Sequence, residues 1–236
     1  MSQEALHGAV TLHAIVSYDD TSGDLDALAL GALLHATGAR LTLAYVRHAT
    51  QGHCEHERLS QEAAEALLER GAARLGDERV QRRVVVSAST GEGLGWLAEQ
   101  ERADLIAFGS EYRTPRGHVA AGRTAQVLLE GGPVAIALAP SGYAAQPRAI
   151  GSVALLPGCD DPAAIETATA IAARFGASLV ERPPDADLLV AGSRAQAPPE
   201  RVSVSALTAN AIEQARAPVL IVARGVAVGA ARHVAA

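Results

Sequence analysis

The chain has 236 residues, a formal net charge of −6 and a hydrophobic fraction of 49%, which is enough apolar material to bury a core. Its 20 lysines and arginines are scattered and form no basic stripe, which argues against a nucleic-acid partner. The two cysteines form no disulfide framework, the N-terminal segment lacks a signal-peptide pattern, and no apolar run reaches the roughly 18–20 residues of a membrane span. We therefore expect a cytoplasmic protein that contacts no membrane.

Apolar segments alternate with amphipathic helical segments along the first 143 residues. The pattern predicts strands at 13–18, 41–46, 80–88, 104–110 and 133–140, and helices at 22–37, 58–75, 91–102 and 122–130. Each strand is apolar along nearly its whole length, which is typical of a parallel sheet that is covered on both faces. The sequence therefore predicts an α/β fold with a doubly wound parallel sheet.

The same segments return in the second part of the chain. ADLIAFGS at 103–110 recurs as ADLLVAGS at 186–193, and GPVAIALA at 132–139 recurs as APVLIVAR at 217–224. Such internal repetition indicates one fold unit written twice. We expect a first domain over 1–143, a linker at 141–147 and a second domain over 148–226.

The second unit is shorter than the first. Gly38 and its echo Gly176 are 138 positions apart, whereas Gly109 and Gly192 are 83 apart, so about 55 residues are missing from the middle. The long helix, the third strand and the helix after it have no counterpart. The short connection at 182–186 is unusual because a parallel crossover normally takes a dozen or more residues. The segment 177–181 is therefore expected to be a short or a displaced strand.

The order of these elements, the aspartate that follows the first strand (Asp19) and the stretch from ADLIAFGS to GGPVAIALAPSGY at 103–143 resemble the universal stress protein family. The resemblance implies a Rossmann-like, adenine nucleotide alpha hydrolase-like sheet of strand order 3-2-1-4-5 in each unit. The third strand is an edge in that order, so the second unit would lose an edge strand and its flanking helices while keeping its centre.

Family members that bind ATP carry the pattern G-x2-G-x9-G-[ST] after the fourth strand, where glycines let backbone N–H groups approach phosphates. Aligned on Gly109, this chain keeps the first and third glycines (Gly109 and Gly122), has Tyr112 in place of the middle one and has Arg123 in place of the hydroxyl residue, with Thr124 next. Tyr112 is expected to crowd or close the pocket. Arg123 either forks to phosphate oxygens or pairs with Glu111 and fills the site.

The resemblance also implies a base and ribose side for this pocket. Asp19 would lie near the adenine and ribose, backbone groups of Ser17 and Tyr18 would read the base edge, and Val46 would pack on the base. The alternative for Asp19 is a turn residue that begins the first helix. The resemblance thus implies ATP as the cofactor, bound in the first domain only and at a degenerate site.

The second unit is not expected to bind nucleotide. Ser205 and Ala206 stand where the last glycine and the hydroxyl residue would be, and no aspartate follows its first strand before Asp160. The resemblance implies that the closing strands at 133–140 and 218–224 pair antiparallel within one chain, which would make an intramolecular pseudo-dimer and cover two open edges. Association of two chains into a homodimer is left open.

Other constellations give weaker signals. His48, His53, Cys54 and His56 lie close together, but they lack the regular four-ligand spacing of a structural zinc site, so we expect a solvated loop and no metal. No Ser-His-Asp arrangement is recognisable, and we expect no catalytic residues. The favoured function is a stress-response regulator rather than an enzyme, with weak ATPase activity left open. The alternative is a nucleotide-free protein-interaction scaffold of the same family.

Overall fold

A computed structural model of the chain describes residues 11–48, 60–77, 79–158 and 160–230. The strands of these residues are β1 (His13–Ser17), β2 (Arg40–His48), β3 (Gln81–Ser87), β4 (Leu105–Gly109), β5 (Ala135–Ala139), β6 (Ser152–Leu155), β7 (Ser178–Leu179), β8 (Leu188–Ala191) and β9 (Val219–Ile221). The α-helices are α1 (Ser22–Ala36), α2 (Gln61–Leu75), α3 (Thr90–Glu101), α4 (Arg123–Leu129), α5 (Pro162–Phe175) and α6 (Ala206–Glu213).

All nine strands belong to one sheet of order β3-β2-β1-β4-β5-β9-β8-β6-β7. The five strands of the first half are parallel and have the order 3-2-1-4-5. This confirms the α/β class and the strand order that the sequence predicted for the first unit. The strand and helix positions agree with the predicted ones to within a few residues at each end.

The two halves of the sheet join through β5 and β9. These strands pair antiparallel, with Ile136 opposite Ile221 and Leu138 opposite Val219. The expected pairing of the closing strands is therefore present. Neither β5 nor β9 leaves an open edge, because each is paired on both sides.

Helices cover both faces of the sheet. One face packs against α1, α2 and α5, and the other packs against α3, α4 and α6. Small residues allow these helices to approach the strands closely. Gly31 of α1 is an example, because a Cβ atom there would lie 2.8 Å from Cγ2 of Val16 in β1.

The shortened connection of the second half passes the amino end of β6. Val153 of β6 lies level with Leu179 of β7 on one side and with Leu188 of β8 on the other. The chain therefore needs to move only two strand spacings sideways, about 10 Å. A 3-10 turn at Pro183–Asp185 does this, and the Asp187 carboxylate fixes it by accepting from the Ser152 hydroxyl at 2.8 Å. The segment 177–181 thus contains a short strand of two residues.

The segment expected as a linker at 141–147 packs against the first helix. The buried Asp26 carboxylate of α1 accepts hydrogen bonds from the N–H groups of Gly142 at 2.8 Å and Ala144 at 2.7 Å. The second half repeats this arrangement with Asp161, whose carboxylate accepts from the Gly225 N–H at 3.2 Å. The residues after each closing strand are therefore held on the first helix of their own half.

Candidate functional site

The neighbouring strands β1 and β4 lead into loops at their carboxyl ends, and the sheet topology predicts a ligand crevice there. In a doubly wound sheet this is the switch point at which ligands bind, because the chain leaves the two strands toward opposite faces. Ser110, directly after β4, forms a bridge with Ala121, which brings the start of α4 to this edge. The β1–α1 loop and the start of α4 thus border one crevice.

The β1–α1 loop is organised by Asp24. Its carboxylate oxygen Oδ2 accepts hydrogen bonds from the Asp19 N–H at 3.0 Å, the Thr21 N–H at 3.1 Å and the Thr21 hydroxyl at 2.6 Å. Thr21 and Asp24 form a capping box at the start of α1. The sequence reasoning did not single out Asp24, although the spacing Thr-x-x-Asp before a helix was a readable signal.

Asp19 lies in the β1–α1 loop, at this edge of the sheet. It is exposed, and its carboxylate accepts no hydrogen bond from any residue that the structure describes. Partial desolvation, together with the negative charges of Asp24 and Asp20, raises the pKa of Asp19. Asp20 differs because it is tied down by the Tyr18 hydroxyl at 2.9 Å and by Arg74 at 3.1 Å. Of these neighbouring carboxylates, Asp19 is therefore the one left to receive a ligand hydroxyl or amine.

The backbone and apolar groups expected on the base side are already in use. The Tyr18 N–H donates to the Ala44 carbonyl at 2.9 Å, and the Tyr18 side chain is buried. Val46 is 7% exposed and packs beneath α3, since a Cβ atom on Gly93 would lie 2.8 Å from its Cγ1. Ser17 ends β1 and is half-buried. An adenine ring would therefore meet few unoccupied groups of these three residues.

Gly109 has a packing role in the structure. A Cβ atom at this position would overlap the carbonyl oxygen of Gly23 in the first turn of α1. The two backbones therefore touch directly, and no other residue fits at position 109. This close approach accounts for the first glycine of the pattern without a phosphate.

The start of α4 is the least occupied part of the crevice. Gly122 begins the helix with no side-chain cap, whereas α1 is capped by Thr21 and α3 by Ser89. Arg123 is exposed and Thr124 is half-buried. Arg123 forms no ion pair or hydrogen bond with the described part of the chain.

The alternative for Arg123 was an ion pair with Glu111 that fills the site. The structure contains no such ion pair. The Glu111 carboxylate instead accepts from the Arg113 N–H at 2.8 Å. Tyr112 was expected to crowd or close the pocket, and its ring is exposed and stacks with a neighbouring arginine. Its side chain is 76% exposed, and the Arg113 guanidinium carbon lies 5.0 Å from the ring centroid.

Ser110 is a structural residue of this edge that the sequence reasoning did not assign. Its buried hydroxyl donates to the Ala139 carbonyl at 2.7 Å and accepts from the Ala120 N–H at 3.2 Å. The loop between β4 and α4 is thereby tied to the end of β5. The repeated dipeptide Gly-Ser in the two copies was the signal that could have identified it.

The corresponding edge of the second half differs in the residues that begin its last helix. Ser205 caps α6 by accepting from the Thr208 N–H at 3.1 Å. Leu207, which follows Ala206, reaches Gly158 in the loop after β6, since a Cβ atom on Gly158 would lie 2.9 Å from Leu207 Cδ2. The start of α6 thus contacts the loop after β6 through an apolar side chain.

Two further expectations concern metals and membranes. His53, Cys54 and His56 lie outside the described residues, and His48 at the end of β2 is 2.8 Å from the Thr90 hydroxyl. The described ranges contain no group of three or more His, Cys, Asp or Glu residues that could hold a metal ion. Within those ranges, no helix has the length and apolar character needed to cross a membrane.

Comparison with known proteins agrees with the geometry of the sheet. Residues 12–140 match the Universal stress protein family. A universal stress protein from Archaeoglobus fulgidus DSM 4304 has a similar structure, with a TM-score of 0.66 at 14% identity, over 90% of this chain and 98% of that chain. A protein of Pseudomonas aeruginosa UCBPP-PA14 described in the same terms gives 0.62 at 16% identity, over 91% and 94% of the two chains.

A third solved structure is a universal stress protein in complex with cAMP, 23% identical over 43% of this chain and 77% of that chain. Its TM-score of 0.33 is too low to bear on the ligand of this chain. No curated protein sequence matches the chain. The family match covers more than half of the chain and contains the whole 3-2-1-4-5 sheet, so this protein belongs to the universal stress protein family.

Proposed function

We propose that the protein is a stress-response regulator whose first half binds an adenine nucleotide such as ATP at the crevice between β1 and β4. Membership of the universal stress protein family supports the stress-response role. The observation that carries the nucleotide proposal is that Asp19 and Arg123, which are oppositely charged, lie in the segments bordering this switch point, and their side chains form no hydrogen bond or salt bridge with any residue that the structure describes. A carboxylate suits the hydroxyls of a ribose, and a guanidinium suits phosphate oxygens.

Binding at this site is expected to be weak. The N–H groups of Tyr18 and Asp19 are occupied by Ala44 and Asp24, and Val46 is covered by α3. The ligand would therefore be held mainly by the backbone around Gly122, by Arg123 and Thr124, and by Asp19. The second half would bind no nucleotide, because Leu207 and Gly158 meet there. Its contribution would be structural, through the β5–β9 pairing that makes the chain an intramolecular pseudo-dimer.

The alternative function is that of a nucleotide-free scaffold that acts through protein partners. It is favoured by the packing role of Gly109, which accounts for this glycine through its contact with Gly23. It is also favoured by Asp24, which already satisfies the N–H groups of the β1–α1 loop. Neither function requires catalysis, and the proposed regulator is not an enzyme.

The nucleotide content of the purified protein distinguishes the two proposed functions. The protein is purified without added nucleotide, denatured, and the released small molecules are analysed by liquid chromatography and mass spectrometry. The nucleotide-binding function predicts an adenine nucleotide that is reduced in Arg123→Ala and Asp19→Asn, and that is unchanged in the control Arg113→Ala. A preparation that contains none, and that takes up none at millimolar ATP, supports the scaffold.

A further inference from the structure

A cavity lies between the two halves of the chain, and its lining includes none of the residues proposed to hold the nucleotide. It has a volume of about 770 Å³, which is within the range of small-molecule sites. Its walls come from the loop before α4, the segment after β5, the 3-10 turn at Pro183–Asp185 and the end of α6. The carboxyl end of β5 and the amino end of β9 meet beside it, because these two strands are antiparallel.

The cavity exists because the second half lacks a helix between β7 and β8. In the first half, α3 covers the corresponding face of the sheet and buries Val46 under Gly93. In the second half, the short turn at 183–185 and α6 are the described elements that flank this face. Leu156, Leu189 and Ala215 form an apolar floor there.

Three arginines surround this floor. Arg116 lies across the backbone of Gly142, where a Cβ atom would be 2.9 Å from its Nε. Arg148 lies in the segment after β5, where its backbone carbonyl accepts a hydrogen bond from the Tyr143 hydroxyl at 3.2 Å. Arg216 contacts the imidazole of His118. None of the three forms an ion pair with a carboxylate in the described part of the chain.

The charge around the cavity is opposite to that of the chain as a whole. Among the described residues that line the cavity, Asp187 is the one carboxylate, against three guanidiniums, whereas the whole chain carries a net charge of −6. One oxygen of Asp187 accepts from the Gly151 N–H at 3.1 Å and from the Ser152 hydroxyl at 2.8 Å. An anion in the cavity would therefore face unneutralised positive charge.

We propose that this cavity binds a small amphipathic anion, with an apolar body on the Leu156–Leu189 floor and a carboxylate or phosphate head among Arg116, Arg148 and Arg216. A guanidinium forks to two oxygens of such a head. A purely inorganic anion would leave the apolar floor exposed, and a neutral apolar ligand would leave the arginines unpaired. The proposed site contains neither Asp19 nor Arg123, so the proposal does not rest on nucleotide binding.

The test is calorimetric titration of the full chain with decanoate and decyl phosphate below their micellar concentrations, alongside decanol and acetate. Decanoate or decyl phosphate is expected to bind one to one, at least tenfold more tightly than decanol or acetate. The double variant Arg148→Gln with Arg216→Gln should lose roughly tenfold or more in affinity, whereas Arg82→Gln on the far edge strand should lose none.

Two further variants test the apolar side of the cavity and its independence. Ala211→Phe, at a lining position on α6, should abolish binding, and Ala173→Phe on the exposed face of α5 is the matched control. Asp19→Asn should leave the affinity for decanoate unchanged. Thermal unfolding of each variant confirms that it is folded.

Three results would overturn the proposal. The first is the absence of binding by both amphipathic anions, and the second is acetate binding as tightly as decanoate. The third is equal affinity in the double arginine variant and in Arg82→Gln.

Discussion

Ser110 and Ser193 make the same hydrogen bond in the two halves of the chain. The Ser110 hydroxyl donates to the Ala139 carbonyl at 2.7 Å, and the Ser193 hydroxyl donates to the Val222 carbonyl at 2.8 Å. Ser110 directly follows β4, and Ser193 follows β8 after Gly192. Each carbonyl lies 29 positions later, at or just beyond the end of the closing strand. The recurrence supports the proposed division into two related units, because the same buried polar contact fixes the same loop twice.

Replacing either serine by alanine should destabilise the protein. Each hydroxyl also accepts a backbone N–H, from Ala120 or from Ser203, so that its removal leaves buried donors and acceptors unsatisfied. We expect a loss of about 1–3 kcal/mol in the free energy of unfolding for each variant, measured by urea denaturation. Ser178→Ala, at an exposed position in β7, is the control and should change it by less than about 0.5 kcal/mol. Wild-type denaturation midpoints for both variants would contradict this role.

The junction of the two halves should be visible as an energetic coupling between Ile136 and Ile221. Both are fully buried and stand opposite each other across β5 and β9. The single Ile→Val changes should each cost about 0.5–1.5 kcal/mol, and the double variant should depart from their sum because the side chains are in contact. Ile136→Lys should prevent stable folding, since it places a charge inside the sheet. Strict additivity of the valine variants would argue against direct packing at the junction.

Gly109→Ala should destabilise the fold whether or not a nucleotide is bound. The added methyl group would overlap the Gly23 carbonyl, which costs on the order of 1–3 kcal/mol or more. Gly122→Ala is the matched control, because nothing lies within 4 Å of its Cβ position and its φ of −69° suits alanine. The measurement is thermal unfolding in the absence of nucleotide. Equal stability of the two variants would contradict the packing role of Gly109.

His13 should make stability depend on pH. Its buried ring lies 2.6 Å from an Arg40 guanidinium nitrogen and 2.8 Å from the Thr42 hydroxyl, and Glu101 and Asp104 are its acidic neighbours. Burial, followed by the charge of Arg40, lowers the pKa of His13. The folded state therefore holds a neutral ring at pH values at which the unfolded chain is already protonated.

Stability contributed by neutral His13 is present above a pH of about 6.5 and is lost as the pH falls toward the lowered folded pKa. The difference in unfolding free energy between wild type and His13→Gln should thus shrink between pH 7.5 and pH 5. His35 has the opposite shift, since Asp77 raises its pKa, but it is present in both proteins and cancels in the difference. A difference that stays constant or grows on acidification would refute the assignment.

Much of the fold was predictable because it depends on local patterns. Apolar runs located the strands, and the repeat of Gly-Ser and proline positions located the second copy. The length of β7 was not fixed by pattern, because it depends on how the shortened chain passes the amino end of β6. The segment expected as a linker is held by Asp26, more than a hundred residues away in sequence.

The candidate site was less predictable, because its details rest on long-range contacts. Gly23 and Gly109 are in close contact although they are 86 positions apart in the sequence. The burial of Val46 in β2 depends on Gly93 in α3. The outward direction of Tyr112 and the use of Glu111 by the Arg113 N–H depend on how one loop folds back on itself. Spacing alone therefore identified the edge of the sheet, and it could not say which groups at that edge are already engaged.

Isothermal titration of ATP into the full chain and into Arg123→Ala tests the proposed nucleotide site most directly. We predict at most one ATP per chain, with affinity lowered by about 1–3 kcal/mol in Arg123→Ala and unchanged in Arg113→Ala, because a charge-assisted hydrogen bond to phosphate is lost only in the former. Two ATP molecules per chain, equal affinity in Arg123→Ala and wild type, or no binding by wild type would contradict the account.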